Sequence, residues 1–315
     1  MNHPVLSSLL PVVLLITLGF AVGRLRLVRP ESTRDLSNVV FLLLAPALLF
    51  RSMGGVHVEQ LSLRPVAAYF MAAFVIFFGT LWVRGFNRSG AVLTMATTYS
   101  NTVMIGVPLI GLAYGEAGMV TLLMLVSIHA MVLLTSSTVA VEIACAREQA
   151  ARGEGSTNAL HILRTLGRAL RASVINPVTL PVISGLLFAQ TGWAIPSVID
   201  RPLQLLAQSF APLALMLVGI TLAQTRVGHH LRGALAVAAS KNLLHPVLVA
   251  LFAWMLGVTG LPLAVMVVTA SLPVGANAFL LAQRYRASEE LVTASVVVST
   301  ALALVTVSVT MVFVG

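Results

Sequence analysis

Thr97-Thr98-Tyr99-Ser100-Asn101-Thr102-Val103-Met104-Ile105-Gly106-Val107-Pro108 puts six hydrogen-bonding side chains and a proline in the middle of an otherwise apolar run, residues 90–113. A second apolar run, 261–283, carries Ser271-Leu272-Pro273-Val274-Gly275-Ala276-Asn277 at a comparable depth. Proline removes a backbone donor and collides with the carbonyl four residues earlier, so both runs are predicted to be interrupted helices. Interrupted backbone at bilayer depth is tolerated only where protein buries it or it lines a wet cavity. Two such breaks in corresponding runs therefore mark a binding site between them.

The rest of the sequence supplies the frame. Hydrophobic residues make up 58% of 315 and charged residues only 9%, and the mean hydropathy is +0.98. A single soluble core could not hide this much apolar surface, so the bilayer is the expected solvent. Apolar runs long enough to span it lie at 5–23, 35–53, 65–83, 90–113, 117–141, 173–191, 203–224, 234–257, 261–283 and 290–314. The fold expected is an all-α integral membrane protein of ten transmembrane helices. The first run has no basic residues ahead of it, which reads as a first span rather than a cleaved signal peptide.

Nineteen Lys and Arg against ten Asp and Glu give a net charge of +9. In a soluble chain that excess would suggest nucleic acid. Here 15 of the 19 lie in loops after odd-numbered runs, among them Arg24, Arg84, Arg147, Arg226 and Arg284. Loops retained in the cytoplasm carry such residues, so an inner-membrane protein with both termini outside is expected, and nucleic acid is not a partner.

A polar stretch at 146–172 divides five runs from five, giving a first repeat at 1–145, a cytoplasmic linker at 146–172 and a second repeat at 173–315. An odd number of crossings before the second half turns it upside down, the geometry of inverted-repeat transporters. Pro11 and Pro177, Gly19 and Gly185, and Ala45-Pro46 and Ala211-Pro212 are each 166 residues apart; Pro108 and Pro273 are 165 apart. Such a shared offset is the trace of a duplication.

Ser100, Asn101, Pro108, Pro273, Gly275 and Asn277 are the candidate binding residues, with half-helix N-termini offering partial positive charge to an anion. The competing reading is that the prolines only kink and the two asparagines bind neighbouring helices. Lys241 lies inside the eighth run with no acidic residue there to neutralise it; it either attracts a carboxylate or snorkels to the cytoplasmic boundary. His129 and His245 are candidates for proton or ion coupling. Asp35 and Asp200, at the starts of runs two and seven, read as helix N-caps. No metal site is expected: Cys145 is alone, and no HExxH or paired mid-span aspartates occur, which disfavours an intramembrane enzyme. Ser127 and His129 are two residues apart and point different ways on a helix. No cofactor is expected beyond a Na⁺ or H⁺ coupling ion.

Five stretches resemble the auxin efflux carrier family, whose bacterial members are proposed to carry malonate or malate. They are Asn38-Val-Val-Phe-Leu-Leu-Leu-Ala-Pro-Ala-Leu-Leu-Phe-Arg51, Asn101-Thr-Val-Met-Ile-Gly-Val-Pro108, Asn176-Pro177, Ala211-Pro-Leu-Ala-Leu-Met-Leu-Val-Gly219 and Pro273-Val-Gly-Ala-Asn-Ala-Phe-Leu-Leu-Ala-Gln-Arg-Tyr285. The resemblance implies a fold similar to bile acid:sodium symporters, with spans 1, 2, 6 and 7 as scaffold and broken helices 4 and 9 crossing in a mobile core. Asn101, Pro108, Pro273 and Asn277 match the crossover motifs. The implied activity is permease-type secondary transport of a small organic anion, a mono- or dicarboxylate, by alternating access, with a homodimer as a compatible assembly. The long cytoplasmic loop of the plant carriers is missing, so regulation through it is not expected, nor is auxin as the substrate. The alternative is a transporter-like membrane receptor, although no soluble output domain accompanies the spans.

Overall fold

The computed structural model describes residues 4–56, 62–152, 164, 167, 168, 171, 175–225, 228 and 230–314. Most of the 146–172 linker therefore lies outside the described residues. The described chain is helical, in the order α1 (Pro4–Arg24), α2 (Pro30–Val39), α3 (Ala45–Met53), α4 (Leu63–Arg84), α5 (Arg88–Thr98), α6 (Val107–Ala151), α7 (Thr179–Ala189), α8 (Ser197–Gln224), α9 (Leu231–Ala239), α10 (His245–Met255), α11 (Gly260–Ser271), α12 (Asn277–Tyr285) and α13 (Glu289–Val314).

Among the described residues, six continuous helical stretches are long and apolar enough to cross a membrane: Pro30–Met53, Leu63–Arg84, Thr102–Ala151, Ser197–Gln224, Leu231–Met255 and Glu289–Val314. Shorter apolar helices, such as α7 and α11, lie among them. The difference from ten arises where runs are broken or merged. Fifty residues of helix would extend about 75 Å against a hydrocarbon core of about 30 Å, and Thr102–Ala151 is turned at Gly115, whose φ of 59° interrupts it. Glycine tolerates that conformation. The fourth apolar run thus ends and the fifth begins inside one nominally continuous helix.

Proline acts here by widening helices more often than by cutting them. π-helical turns at Val40–Leu44, Thr102–Gly106 and Ser240–Leu244 each stand just before an X-Pro pair, Ala45-Pro46, Val107-Pro108 and His245-Pro246. In each, the residue before the proline donates to a carbonyl five residues back: Ala45 to Val40, Val107 to Thr102 and His245 to Ser240. The wider turn accommodates a ring that would otherwise strike the carbonyl at i−4.

The tightest packing joins α1 to α8 and α3 to α7. A Cβ on Gly19 would lie 2.0 Å from the Met216 carbonyl oxygen, and one on Gly219 2.0 Å from that of Ile16. On Gly185 it would lie 2.5 Å from the Phe50 carbonyl oxygen. Backbones that close hold these pairs as rigid units, as small residues do between membrane helices.

The expectation that Asp35 and Asp200 cap helices is corrected. α2 starts at Pro30 with Arg29 in the N-cap position, and α8 starts after Pro196; proline is suited to these first positions. Asp35 falls within α2. Asp200 lies in the first turn of α8, where it accepts from Arg51 Nε at 2.8 Å and from Nη2 at 3.3 Å.

Candidate functional site

The two interruptions meet. α5 stops at Thr98 and Tyr99 turns extended; α11 stops at Ser271 and Leu272 turns extended. Ser100 and Val274 then pair as an antiparallel bridge. Asn101 N–H donates to the Pro273 carbonyl, and Gly275 N–H to the Tyr99 carbonyl, both at 2.9 Å. Val274 N–H donates to Ser299 Oγ at 3.1 Å. Each break thereby supplies hydrogen bonds that the other has lost, as backbone at bilayer depth requires.

The close approach explains two glycines. A Cβ on Gly275 would lie 2.7 Å from Tyr99 Cδ1 and 3.0 Å from the Ser100 carbonyl oxygen, and one on Gly106 would lie 2.8 Å from Leu272 Cδ1. Pro273 sits within its break. Pro108 does not: its helix is interrupted at Tyr99 to Asn101, and Pro108 follows at the second position of α6, behind a π-helical turn. The expectation that Pro108 itself breaks the helix is corrected by this offset.

A cavity of about 240 Å³ opens against the crossing. Its wall contains Ser100, Asn101, Gly275, Asn277 and His129 from the sequence-derived set, together with Tyr99, Thr102 and the Asn176-Pro177 pair. Phe41, Val103, Met104, Val126 and Leu280 form apolar parts of the lining. Pro108, Pro273, Lys241 and His245 are not in it. Two helical segments begin at this wall, one at Thr102 and one at Asn277. A helix N-terminus carries about half a positive charge and unpaired N–H groups. Among the described residues the lining contains no Lys, Arg, Asp or Glu, so these ends, His129 and the polar side chains of Ser100, Asn101, Thr102 and Asn277 are the features an anion would meet.

A larger recess of about 560 Å³ lies elsewhere, lined by Arg51, Ser52, Glu116 and Asp200 among others. Arg51 and Asp200 are already paired to each other there. The smaller cavity is the stronger candidate because helix ends and buried polar groups converge on it.

Behind that wall is a network that joins α4, α6, α10 and α12. The Tyr69 hydroxyl, in α4, lies 2.7 Å from Ser100 Oγ and 3.2 Å from His129 Nε2. Asn277 Nδ2 donates to the Tyr99 hydroxyl at 2.8 Å. The His129 ring packs on Tyr99 with centroids 4.3 Å apart, and the His245 ring packs on Tyr69 at 4.7 Å. His129 Nδ1 is buried without a hydrogen-bond partner. Ser127 Oγ donates to the Met124 carbonyl, away from any pairing with His129.

Lys241 is fully buried. Its Nζ donates to the carbonyls of Ala270 at 2.6 Å and Leu272 at 2.8 Å. It thus caps the C-terminal, negative end of α11, the favourable end for a cation. Among the described residues no group of three or more His, Cys, Asp or Glu is gathered in a way that could hold a metal ion.

Tyr69 was not singled out by sequence reasoning, and Tyr99 was read only as part of a polar patch. A phenolic hydroxyl in the apolar run 65–83, whose one other hydroxyl is that of Thr80, was the available signal for Tyr69. Asn176 fixes the entry to α7 by accepting from Val178 N–H at 2.8 Å, the local turn asparagine favours.

Comparison with known proteins places the chain among membrane transporters. The chain is 29% identical over 307 residues to a protein of Rhizobium meliloti (strain 1021) named "Putative malonate transporter", covering 95% of this chain and 92% of that one. It is 23% identical to Auxin efflux carrier component 8 of Arabidopsis thaliana, over 96% of this chain and 95% of that one. It is 25% identical to an "Uncharacterized transporter" of Methanothermobacter thermautotrophicus, over 95% of each. The sequence profile described as membrane transport protein matches residues 4–311. Residues 4–311 thus carry several membrane-spanning helices, a crossing of two broken ones and the family's profile: the chain belongs to the auxin efflux carrier family of membrane transport proteins.

Proposed function

We propose that this protein is a secondary transporter of the inner membrane that carries a small organic anion, a mono- or dicarboxylate such as malonate or malate, by alternating access. The observation that carries this reading is the cavity at the crossing, where two helical segments begin and, among the described residues, no charged side chain intervenes. Helix N-termini stabilise an anion without a fixed cation that would hold it too tightly to release. The name of the Rhizobium relative points toward a carboxylate as well.

In this reading the chain makes ten crossings in two inverted halves, 1–145 and 173–315, joined by the 146–172 linker. Two contacts support the inversion: Gly19 packs on Met216 and Gly185 on Phe50, and both members of the second pair lie 166 positions from those of the first. α1, α3, α7 and α8 form the scaffold, held by these backbone-close contacts, and the crossing moves against it with the substrate. The basic loops face the cytoplasm and both termini face outward.

Uptake of labelled malonate, malate and lactate into proteoliposomes, under imposed proton and sodium gradients, tests the reading. Gradient-dependent accumulation of one acid is expected. No movement of any of the three would overturn the assignment to small carboxylates.

A further inference from the structure

His129 is the titratable side chain in the cavity wall whose surroundings are least complete. Its Nε2 faces the Tyr69 hydroxyl, while its Nδ1 is buried with no partner. A buried polar atom left unpaired in a cavity wall calls for an explanation, and a ligand is one.

The hydrogen-bond chain Ser100, Tyr69, His129 has two directions. In one neutral form the Tyr69 hydroxyl donates to His129 Nε2 and accepts from Ser100. In the other tautomer Nε2–H donates to Tyr69, which donates to Ser100, and Nδ1 carries a lone pair. Adding one proton to either form gives the same product: an imidazolium with N–H at both nitrogens, Tyr69 donating to Ser100 Oγ, and the Ser100 O–H released to donate elsewhere. The proton comes from hydronium or buffer acid in the water reaching the cavity: the bond holding it there breaks, and one N–H bond forms on the imidazole. The loaded state therefore presents two donors that lack acceptors, His129 Nδ1–H and Ser100 O–H, on residues that both line the cavity.

A carboxylate offers two acceptor oxygens and one negative charge. The groups that face His129 are Tyr69 from α4, Tyr99 beyond α5, and Lys241 and His245 from the segment before and at the start of α10. None is a carboxylate, and the Lys241 charge is repulsive. A buried imidazolium with no counter-charge is costly.

We propose that His129 takes up one proton for each carboxylate that enters the cavity, the anion itself being the counter-ion that makes the imidazolium stable. This rests on the carrier reading above and adds its coupling ion. Linkage then runs both ways: the anion raises the proton affinity of His129, and the proton raises the affinity for the anion by the same factor.

Isothermal titration calorimetry of the purified full chain with malonate, malate and lactate, in two buffers of different ionisation enthalpy, counts the protons directly. The wild type is expected to take up roughly one proton per anion, with affinity falling about tenfold per pH unit once His129 is neutral in the free protein. His129→Gln, which keeps a partner for Tyr69 but cannot be protonated, is expected to reduce the proton count to about zero. His230→Gln, in an exposed loop pair with Glu290, is expected to keep the wild-type count. Binding whose heat does not depend on the buffer would overturn the coupling and leave the carrier reading intact. A proton count unchanged in His129→Gln would overturn the assignment to His129. No binding of any of the three acids would overturn the carrier reading, and the coupling with it.

Discussion

Lys241 has to find acceptors wherever its helix places it, and it finds them at the end of a helix that stops halfway through the protein. The sequence left two readings, a carboxylate-attracting site and a snorkelling side chain. The ammonium instead reaches inward to the carbonyls of Ala270 and Leu272. Two hydrogen bonds from a charged donor contribute about 3–6 kcal/mol, against about 2.5–3.5 kcal/mol for placing a lysine at mid-span. The bonds win by a narrow margin. Lys241→Met is therefore expected to lower the thermal midpoint of the purified protein by a few degrees, a net loss of roughly 1–2 kcal/mol; an unchanged or raised midpoint would contradict the capping role. Partner identity was not legible because it depends on a helix end 29 residues away. Asn101 and Asn277 could be paired from the sequence because polar amides recur near prolines in two matching runs, and both line the cavity. Tyr69 escaped notice for the opposite reason: with no polar neighbour beside it in its apolar run, it acquires meaning only from Ser100 and His129, 31 and 60 residues away.

At the scale of elements, the apolar runs located the helices because twenty consecutive apolar residues have one stable arrangement in lipid. Their ends were less legible. Pro30 and Pro196 start two helices upstream of the aspartates that resembled caps, and proline's tolerance of first-turn positions competes directly with aspartate's capping preference. Pro108 reads like Pro273 in sequence yet acts differently, one widening a turn and the other lying in a break. The glycines separate contact from mere composition. A methyl at Gly219 meets the Ile16 carbonyl oxygen at 2.0 Å, whereas one at Gly79 meets nothing within 4 Å. Gly219→Ala is expected to destabilise the protein by about 1–3 kcal/mol or more through overpacking. Gly79→Ala should be neutral or slightly stabilising, since alanine is the better helix former. Thermal unfolding of the two variants side by side measures the difference; equal midpoints would mean that the α1 to α8 contact is looser than described.

For the whole molecule, the membrane class followed from hydropathy, which needs no tertiary information, and the two matched breaks pointed to the crossing where the candidate cavity lies. What stayed hidden was how the breaks meet. A bridge between Ser100 and Val274 joins positions 174 apart, whereas the repeat offset is 166, so equivalence in sequence did not identify the residues that touch. Once joined, the breaks bring Asn101 and Asn277 to one cavity although they are not equivalent under the offset. The central claim is that this crossing binds the transported anion. Losing one hydrogen bond to a charged ligand, about 1.5–3 kcal/mol, corresponds to roughly a ten- to hundredfold loss of affinity. The direct measurement is proteoliposome uptake of the transported acid, at concentrations well below saturation, by Asn101→Ala and Asn277→Ala beside wild type, with folding checked by thermal unfolding and size-exclusion chromatography. The crossing as binding site predicts uptake reduced by that factor in folded protein; wild-type uptake in both variants would contradict it.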